Sequence, residues 1–311
     1  MAQLIKLRDY ISRYEVNPYH YPTQFIRLKR ENWEKLLLLW EKENEAQRKA
    51  EMEEKLRREQ EKERFRWQNL FQRNTKAEDP VIFKRNLPKS KDNLRKYFLN
   101  RLFPFQLKWA TSTLTQVSFT DKKYYFDEQL KFLLQHFPDI YLIMYYPIVN
   151  VKKAPVDMDI IMISPVEMEI ISIIKEEPNT IVIVDDERTW TVNYNNDTSK
   201  KIISPIISLK RTEQIVRSIL KKHDLSYTIK KTVLSEDAHL VYAQEPYNVS
   251  LVGASDFKRW YEQKRDLTGS LKGMQLKVAE ALLEHCLTTS VRRPEWENDD
   301  DNELTLLVED K

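Results

Sequence analysis

The longest uninterrupted polar pattern in the chain runs from Lys29 to about Gln72. This segment contains no proline or glycine and is rich in Glu, Lys, Arg, Gln and Leu, which are strong helix formers. Its apolar residues gather near the two ends, and the middle, EKENEAQRKAEMEEKLRREQEKER, is too sparse in them for a stable coiled coil. The pattern predicts a long charged helix over 29–75, solvated around its middle and held by ion pairs three and four residues apart.

The residues before this helix mix aromatic side chains with two prolines. The apolar spacing predicts a short helix from Leu4 to Tyr14. Pro18 and Pro22 follow in NPYHYPTQFIRL, which favours an extended segment there. We therefore interpret residues 1–28 as an N-terminal aromatic arm.

The middle of the chain is dominated by β-branched runs separated by Pro and Asn turns. They follow the amphipathic pattern YYFDEQLKFLLQHF and predict consecutive strands of one sheet. The predicted strands lie near 140–149, 157–163, 168–175, 180–185 and 189–194, and the predicted helices at 124–136 and about 208–222. A strand pair and two helices complete the pattern. The fold class is therefore α+β, with a core at 123–260 in a domain over 80–270, then a C-terminal helix and acidic tail over 271–311.

Composition removes several classes of enzyme. The three glycines, Gly253, Gly269 and Gly273, all lie late in the 311 residues, so the first 252 positions hold no Walker loop, dinucleotide fingerprint or nucleophile elbow. One cysteine and five scattered histidines supply no paired spacing for zinc and no disulfide framework. A net charge of +3 does not by itself indicate nucleic acid.

The longest apolar run, IYLIMYYPIV, is too short for a membrane span. It is about half of the roughly 20 residues that a bilayer requires, and it contains a proline. The start of the chain carries early charges and no uninterrupted apolar stretch, so no signal peptide is predicted. We expect a cytoplasmic protein with no membrane association.

Three segments carry a family resemblance. They are the helix FDEQLKFLL with Glu128, the segment VDMDIIMISP from Val156 to Pro165, and ISPIISLKRTEQIVRSIL from Ile203. In this order of helices and strands, residues 123–260 resemble the nuclease-related domain (NERD) family, a bacterial relative of the restriction-endonuclease-like fold. The resemblance implies a restriction-endonuclease-like mixed sheet flanked by helices and preceded by the long exposed N-terminal helix.

The resemblance also implies a site. In the family, acidic groups on adjacent strands converge on Mg²⁺, and a lysine two residues after the second acid assists phosphodiester cleavage. Carried over residue by residue, the helix acid is Glu128 and the first strand acid is Asp159, but the second acid falls on Ser172 and the lysine on Ile174. The Glu-x-Lys pair is missing, so these catalytic positions are degenerate.

Three interpretations of the remaining acids stay open. Asp157 and Asp159 share a face if they lie on one strand, and with Glu169 and Glu128 they would form a metal site without the lysine. Alternatively, Asp157 and Glu169 face solvent and Asp159 is a relic. In the third interpretation, Lys152 or Lys153 takes over the role of the lysine.

A basic and aromatic stretch at 81–120 suggests contact with phosphates. The candidate nucleic-acid-binding residues are Lys84, Arg85, Lys89, Arg95 and Lys96. Their aromatic neighbours occupy mostly apolar helical positions, which favours core packing under a basic surface.

The leading hypothesis is a nucleic-acid-associated or scaffolding pseudo-nuclease without a required cofactor. One alternative is an active Mg²⁺-dependent nuclease with a rearranged site. The other is a structural protein that binds a partner through its N-terminal helix. We expect a monomer or a weak dimer, because the long helix lacks a sustained apolar stripe.

Overall fold

The computed structural model describes residues 1–67, 87–152, 154–184, 188–196 and 198–293. They divide into two compact units. One contains Met1–Arg27 and the chain from Leu102 to the last described residue, and the other contains the described part of Leu28–Arg101. Within these ranges no helix combines the length and apolar character that crossing a bilayer needs.

The described residues form a mixed α+β structure, as predicted. In chain order its strands are β1 (Gln3–Leu7), β2 (Gln116–Val117), β3 (Leu142–Tyr145), β4 (Ile148–Val151), β5 (Ala154–Asp157), β6 (Ile160–Ile163), β7 (Glu167–Ile173), β8 (Ile181–Ile183), β9 (Thr189–Asn193), β10 (Ser199–Ile203), β11 (Thr228–Leu234), β12 (His239–Val241), β13 (Ser250–Val252) and β14 (Val291–Arg292). Its helices are α1 (Arg13–Val16), α2 (His20–Trp67), α3 (Lys91–Trp109), α4 (Glu128–Gln135), α5 (Pro205–Lys222), α6 (Ala254–Arg265) and α7 (Gly273–Leu283), with a 3₁₀ turn at Lys122–Tyr125.

The main sheet has six strands in the order β1-β3-β6-β7-β11-β13. Strands β3, β6 and β7 are antiparallel to their neighbours in this series, whereas β11 runs parallel to β7 and to β13, and β1 runs parallel to β3. Every residue of β3 and of β6 is buried, which is why LIMY and IIMI read as continuous apolar runs.

Helices cover both faces of this sheet. Helix α4 precedes β3. The connection from β7 to the parallel strand β11 contains β8, β9, β10 and then α5, and α5 packs against β7, β11 and α7. Helix α6 contacts β12 and β13. Successive side chains of β7 point to opposite faces of the sheet. Ser172 hydrogen bonds on the face that α5 covers, whereas Glu169, three residues earlier, contacts Trp260 of α6 on the other face.

The strands after β3 do not all belong to one sheet, so that prediction is wrong. Strands β4 and β5 form a separate hairpin, β10-β9-β8-β12 form a four-stranded sheet, and β14 pairs with β2. The run predicted as one strand at 140–149 divides because Tyr146 has a left-handed φ of 47° and Pro147 has no N–H to donate.

The first residues form a strand instead of the predicted helix. Gln3–Leu7 are all buried in β1, which pairs with β3. Burial of Lys6 is possible because its ammonium pairs with Glu15 and donates to the Tyr10 carbonyl at 2.8 Å. Tertiary pairing has overridden the local helical spacing.

The long charged helix is present, but α2 begins at His20 and not at Lys29. The Asn17 side-chain oxygen accepts from the backbone N–H groups of Tyr19 and His20, at 3.2 and 2.9 Å, and so caps the first turn. Pro22 lies in that turn, where its missing N–H costs no hydrogen bond. The predicted extended segment is therefore helical, whereas the solvated middle of the helix, residues 41–58, is exposed or half-exposed as predicted.

Candidate functional site

The position that the resemblance assigns to the first strand acid is occupied by Asp159, directly before β6. Ile160 pairs with Ile171 in the β6–β7 ladder, so one further step places Asp159 opposite Ser172. Cross-strand partners share one face of a sheet, and this face meets α5. The Asp159 residue is only 7% exposed, so its carboxylate depends on protein partners.

Hydroxyl groups from a helix and a strand surround that carboxylate. Thr212 of α5 donates to one of its oxygens at 2.8 Å, and the Ser172 hydroxyl donates as well. The Ser208 hydroxyl lies 3.0 Å from the other oxygen and shares its single proton between that oxygen and the Pro205 carbonyl at 2.9 Å. The Thr212 oxygen also accepts from the Asp159 backbone N–H at 3.1 Å. Because Ser208 and Thr212 are four residues apart, they lie on the same side of the helix. Asp159 is thereby clamped between α5 and β7.

The pKa of Asp159 is raised above its ordinary value. Burial is the largest cause, and it outweighs the hydrogen bonds from Thr212, Ser208 and Ser172 and the positive charge of Arg211, all of which favour the ionised form. Arg211 itself donates to the Asp157 backbone carbonyl at 3.2 Å. The ionised carboxylate is therefore held mainly by neutral donors, and the local chemistry is that of a buried anchor.

Ser172 and Ile174 occupy the positions that the resemblance assigns to the second acid and the lysine. Ser172 is opposite Asp159, and Ile174 is 8% exposed with its N–H bonded to the Leu234 carbonyl at 2.9 Å. Neither side chain supplies an anionic ligand or a positive charge. Of the two lysines considered as replacements, Lys152 is an exposed turn residue with a φ of 49°, and Lys153 lies outside the described residues.

Glu128, the assigned helix acid, is exposed at the first position of α4. The residue before it is more deeply engaged. Asp127 caps α4 with one carboxylate oxygen, and its other oxygen accepts from the Tyr145 hydroxyl at 2.7 Å. Glu128 therefore faces solvent while Asp127 fixes the helix to the end of β3.

Helix α4 reaches toward Asp159 through Gln129 and Tyr146. The Gln129 amide donates to the Tyr146 hydroxyl at 3.1 Å. The pKa of Tyr146 is raised, chiefly by burial, and the negative charge of Asp159 adds to the effect. Gln129 directly follows the assigned helix acid Glu128, and one position on a helix turns a side chain by about 100°.

Asp157 lies in different surroundings from Asp159. It ends β5 of the hairpin, its side chain is 63% exposed, and it pairs with Arg8 at 3.2 Å. The chain then leaves the hairpin as Met158 donates to the Pro147 carbonyl at 2.9 Å. The premise that Asp157 and Asp159 lie on one strand is therefore wrong, although the solvent-facing interpretation of Asp157 is confirmed.

Glu169 is buried on the opposite face of the sheet, so the interpretation of it as solvent-facing is wrong. Its carboxylate is 2.6 Å from the Lys264 ammonium and accepts from the Trp260 indole at 3.0 Å and from the Thr232 hydroxyl. Burial opposes the charged form of Lys264, but the Glu169 and Glu167 carboxylates together outweigh it, so the pKa of Lys264 is raised. The structure thus does not bring Asp157, Asp159 and Glu169 together.

A polar cavity of about 330 Å³ opens beside this ion pair. Glu169, Lys264 and Trp260 line one part of it, and Lys230 and Tyr242 line another. Lys230 and Lys264 both contact Glu167, at 2.8 and 3.1 Å, and their hydrogen bonds lower the pKa of that carboxyl in spite of its partial burial. Glu167 and Glu169 each lie within ion-pair distance of a lysine, although Oε2 of Glu169 has no partner with hydrogen-bond geometry.

The residues that define the Asp159 site on the helix side were not singled out from the sequence. Ser208 and Thr212 lie within ISPIISLKRTEQIVRSIL, and Thr212 is fully buried. The buried stripe of α5 is Ile206, Leu209, Thr212, Val216, Ile219 and Leu220. A hydroxyl in an otherwise apolar stripe must find a partner, and this was the available signal.

The candidate nucleic-acid-binding residues fall partly outside the structure. Lys84 and Arg85 lie outside the described residues, and Lys89, Arg95 and Lys96 are exposed at and near the start of α3. Buried Leu94 and Phe98 lie on the other side of the same helix, and Phe98 packs against Trp33 with ring centroids 5.4 Å apart. Aromatic core packing under a basic surface is therefore confirmed for this part of the stretch.

Comparisons with known proteins give one short similarity. The chain is 59% identical over 46 residues to a protein of Geobacillus stearothermophilus described as an RNA 2',3'-cyclic phosphodiesterase. The match covers 15% of this chain and 15% of that protein's length. No family model matches, and no solved structure matches.

Proposed function

We propose that the chain is a nucleic-acid-associated pseudo-nuclease, related to the nuclease-related domain family, that binds without cutting. The observation that carries this proposal is the state of Asp159. A catalytic acid would present free oxygen ligands to Mg²⁺, but hydroxyl groups of Ser172, Ser208 and Thr212 engage both oxygens of this carboxylate. Ser172 and Ile174 replace the acid and the base that would complete the site.

The topology supports a restriction-endonuclease-like core. Helix α4 is followed by three antiparallel strands, β3, β6 and β7, then by the crossover helix α5 and the parallel strand β11. Asp159 before the second of these strands and Ser172 on the third lie opposite each other, which is the register that the carried-over motif requires. The inserted hairpin, the additional sheet and the edge strands β1 and β13 surround this core.

The basic surface supports nucleic acid as the ligand. Lys89, Arg95 and Lys96 are exposed, and phosphate contacts by such residues bind without reading sequence. The short similarity to a protein named for RNA chemistry makes RNA the first ligand to test. It does not assign that protein's activity to this chain.

The test measures binding and cleavage with the full chain. Fluorescence anisotropy is recorded for single- and double-stranded RNA and DNA at low and moderate salt. Three phosphate contacts predict a loss in affinity of roughly 15- to 60-fold between about 50 and about 200 mM salt. The charge reversal Lys89→Glu/Arg95→Glu/Lys96→Glu should remove most of this binding, whereas a matched reversal of Lys42, Lys49 and Lys55 on α2 should retain it.

The same samples are incubated with Mg²⁺ or Mn²⁺ to separate the alternatives. The proposal expects no cleavage, and Asp159→Ala should change affinity by no more than a few fold. Metal-dependent cleavage that disappears in Asp159→Ala would instead establish an active nuclease with a rearranged site. Binding that is lost in the Lys42, Lys49 and Lys55 variant would contradict the proposed surface on α3 and indicate a contact on α2. If no salt-dependent binding is found at all, the proposal fails, and partner binding through the long helix becomes the better account.

A further inference from the structure

The C-terminal ends of α5 and α7 bring His223 together with the adjacent residues Glu284 and His285, which lie about 60 positions later in the sequence. His223 directly follows α5, Glu284 and His285 follow α7, and the two helices pack against each other. One potential ligand atom from each residue lies within 4.8 Å of the other two. Among the described residues, this is the group of three or more His, Cys, Asp and Glu side chains close enough to share an ion. The sequence spacing gave no sign of it.

The histidine nitrogens are arranged for coordination. The Nδ1 of His285 lies 2.8 Å from the Ala281 carbonyl, which can only accept, so Nδ1 carries the proton and Nε2 presents a lone pair. Metal-bound histidines are commonly oriented by such a bond from the other ring nitrogen. The Nε2 of His223 is shielded from solvent without a hydrogen-bond partner, and it lies 3.7 Å from a Glu284 oxygen.

The electrostatic surroundings favour a cation. Two helix C-termini direct their partial negative charge toward this point, and Glu284 adds a carboxylate. The positively charged Lys222 side chain already occupies this point, because its ammonium lies 3.1 Å from His285 Nε2. Lys222 is exposed and can swing into solvent when a metal takes its place.

We propose that His223, Glu284 and His285 form a binding site for a divalent transition metal of the Zn²⁺ class. Two imidazoles and one carboxylate suit such ions, whereas Mg²⁺ prefers an all-oxygen set. Tetrahedral bonds of about 2.0–2.2 Å would bring the ligand atoms to about 3.3 Å from each other. Rotation of the Glu284 side chain, which is 57% exposed, and smaller rotations of the two imidazoles would bring the three ligand atoms together, and a water molecule would complete the fourth position.

This site is separate from the Asp159 region. Ser208 and Thr212, which hold Asp159, lie in the first half of α5, and His223 follows its last residue. The metal would tie the C-terminal end of α5 to that of α7. The proposed metal site therefore does not depend on the proposed nucleic-acid function.

The test uses the full chain stripped of metal by a chelator and titrated with Zn²⁺ against a competing chromophoric chelator. We expect one Zn²⁺ per chain, with affinity at least about tenfold weaker in His223→Gln, Glu284→Gln and His285→Gln. His20→Gln, which removes an exposed histidine at the start of α2, is the matched control and should bind as the unaltered chain does. Lys222→Gln should bind more tightly, because it removes the competing ammonium.

Thermal denaturation supplies the second readout. Zn²⁺ should raise the melting temperature of the unaltered chain and of His20→Gln but not of the three ligand variants, since only a site in the folded state is linked to stability. If His223→Gln fails to fold, the exposed Glu284 and the half-exposed His285 still test the site. Zn²⁺ affinity that is unchanged in Glu284→Gln and His285→Gln, or equal affinity for Mg²⁺, would overturn the proposal.

Discussion

Replacement of Asp159 tests whether this residue stabilises the fold. A loss of stability would indicate a structural anchor, and no change or a gain would indicate a residue that was kept for catalysis. An acid kept for catalysis is commonly strained or repelled in the folded state, so its removal is neutral or stabilising. Asp159 instead accepts from Ser172, Ser208 and Thr212 on two different elements. We therefore expect Asp159→Ala to destabilise the protein and Asp159→Asn to be far milder.

The size of the change follows from the contacts. Asp159→Ala leaves the fully buried Thr212 hydroxyl without its acceptor, and an unsatisfied buried donor costs about 1–3 kcal/mol. The Ser208 hydroxyl keeps the Pro205 carbonyl as an acceptor at 2.9 Å. Because burial of the ionised carboxylate outweighs its hydrogen bonds, removal of the charge offsets part of the cost, and the net expected loss in the free energy of unfolding is about 1–2 kcal/mol. Asp159→Asn keeps the shape and an acceptor, and should stay within about 1 kcal/mol near neutral pH.

The pH dependence of the free energy of unfolding provides a second test of Asp159. Burial raises the folded-state pKa of Asp159 above 3.8, its ordinary value. A raised pKa contributes stability that is complete below the unfolded-state pKa and is lost as pH rises through the folded-state value. The unaltered chain should therefore gain stability relative to Asp159→Asn as pH falls from neutral toward 3.8.

The assay is urea denaturation followed by tryptophan fluorescence and far-ultraviolet circular dichroism, whose transitions must coincide for a two-state treatment. Asp157→Ala is the matched control, because that side chain is 63% exposed and only its surface pair with Arg8 is lost. It should change the free energy of unfolding by less than about 1 kcal/mol. An Asp159→Ala protein as stable as the unaltered chain, or more so, would refute the anchor interpretation.

Three further predictions concern other buried groups. Glu169→Ala should lower the free energy of unfolding by about 3 kcal/mol in urea denaturation, because it leaves the Lys264 ammonium in a buried setting with a weakened set of partners; a neutral result would contradict the ion pair. Gln275→Leu should cost about 2–3 kcal/mol, since the fully buried amide donates to two backbone carbonyls, and Leu276→Gln on the same helix is the control. Burial raises the pKa of Cys286 to about 12, so iodoacetamide should alkylate it at mildly alkaline pH at least about 100-fold more slowly in folded than in urea-unfolded protein, and equal rates would show an open thiol.

Local patterns predicted the central strands because side-chain shape and strand structure agree there. The β-branched segments around 160–163 and 167–173 are strands, and the amphipathic segment over 205–222 is a helix. Each of them is specified by its own residues and by burial on the predicted face. The same reasoning could not assign them to sheets, because pairing depends on chain reversals such as the one at Tyr146.

The errors at the start of the chain have a common physical cause. Gln3–Leu7 and the segment after Asn17 both take their conformation from contacts that a local pattern does not contain. The strand β1 depends on a partner strand more than 130 residues later, and Lys6 is tolerated there through Glu15. The start of α2 depends on a cap from Asn17, which the two nearby prolines obscured.

The contacts around Asp159 were not predictable from the sequence. Counting along the motif assigned the second acid to Ser172, which the structure places opposite Asp159. It could not show that Ser208 and Thr212 would close over the carboxylate, because the packing of α5 on the sheet fixes those contacts. Nor could the spacing of His223 from Glu284 suggest a shared ion, since packing of two helix ends creates that group.

The two buried acids on neighbouring parts of the sheet show why an acidic pattern alone does not define a nuclease. Asp159 is opposite Ser172, and Glu169 lies three residues before Ser172 on the same strand. An odd separation turns the two carboxylates to opposite faces, where α5 holds one through hydroxyls and α6 holds the other through Trp260 and Lys264. A two-acid metal site needs both carboxylates on one face with oxygens left for the ion. In this chain each acid instead joins a flanking helix to the sheet. The two carboxylates lie on opposite faces, so they cannot hold one metal ion together.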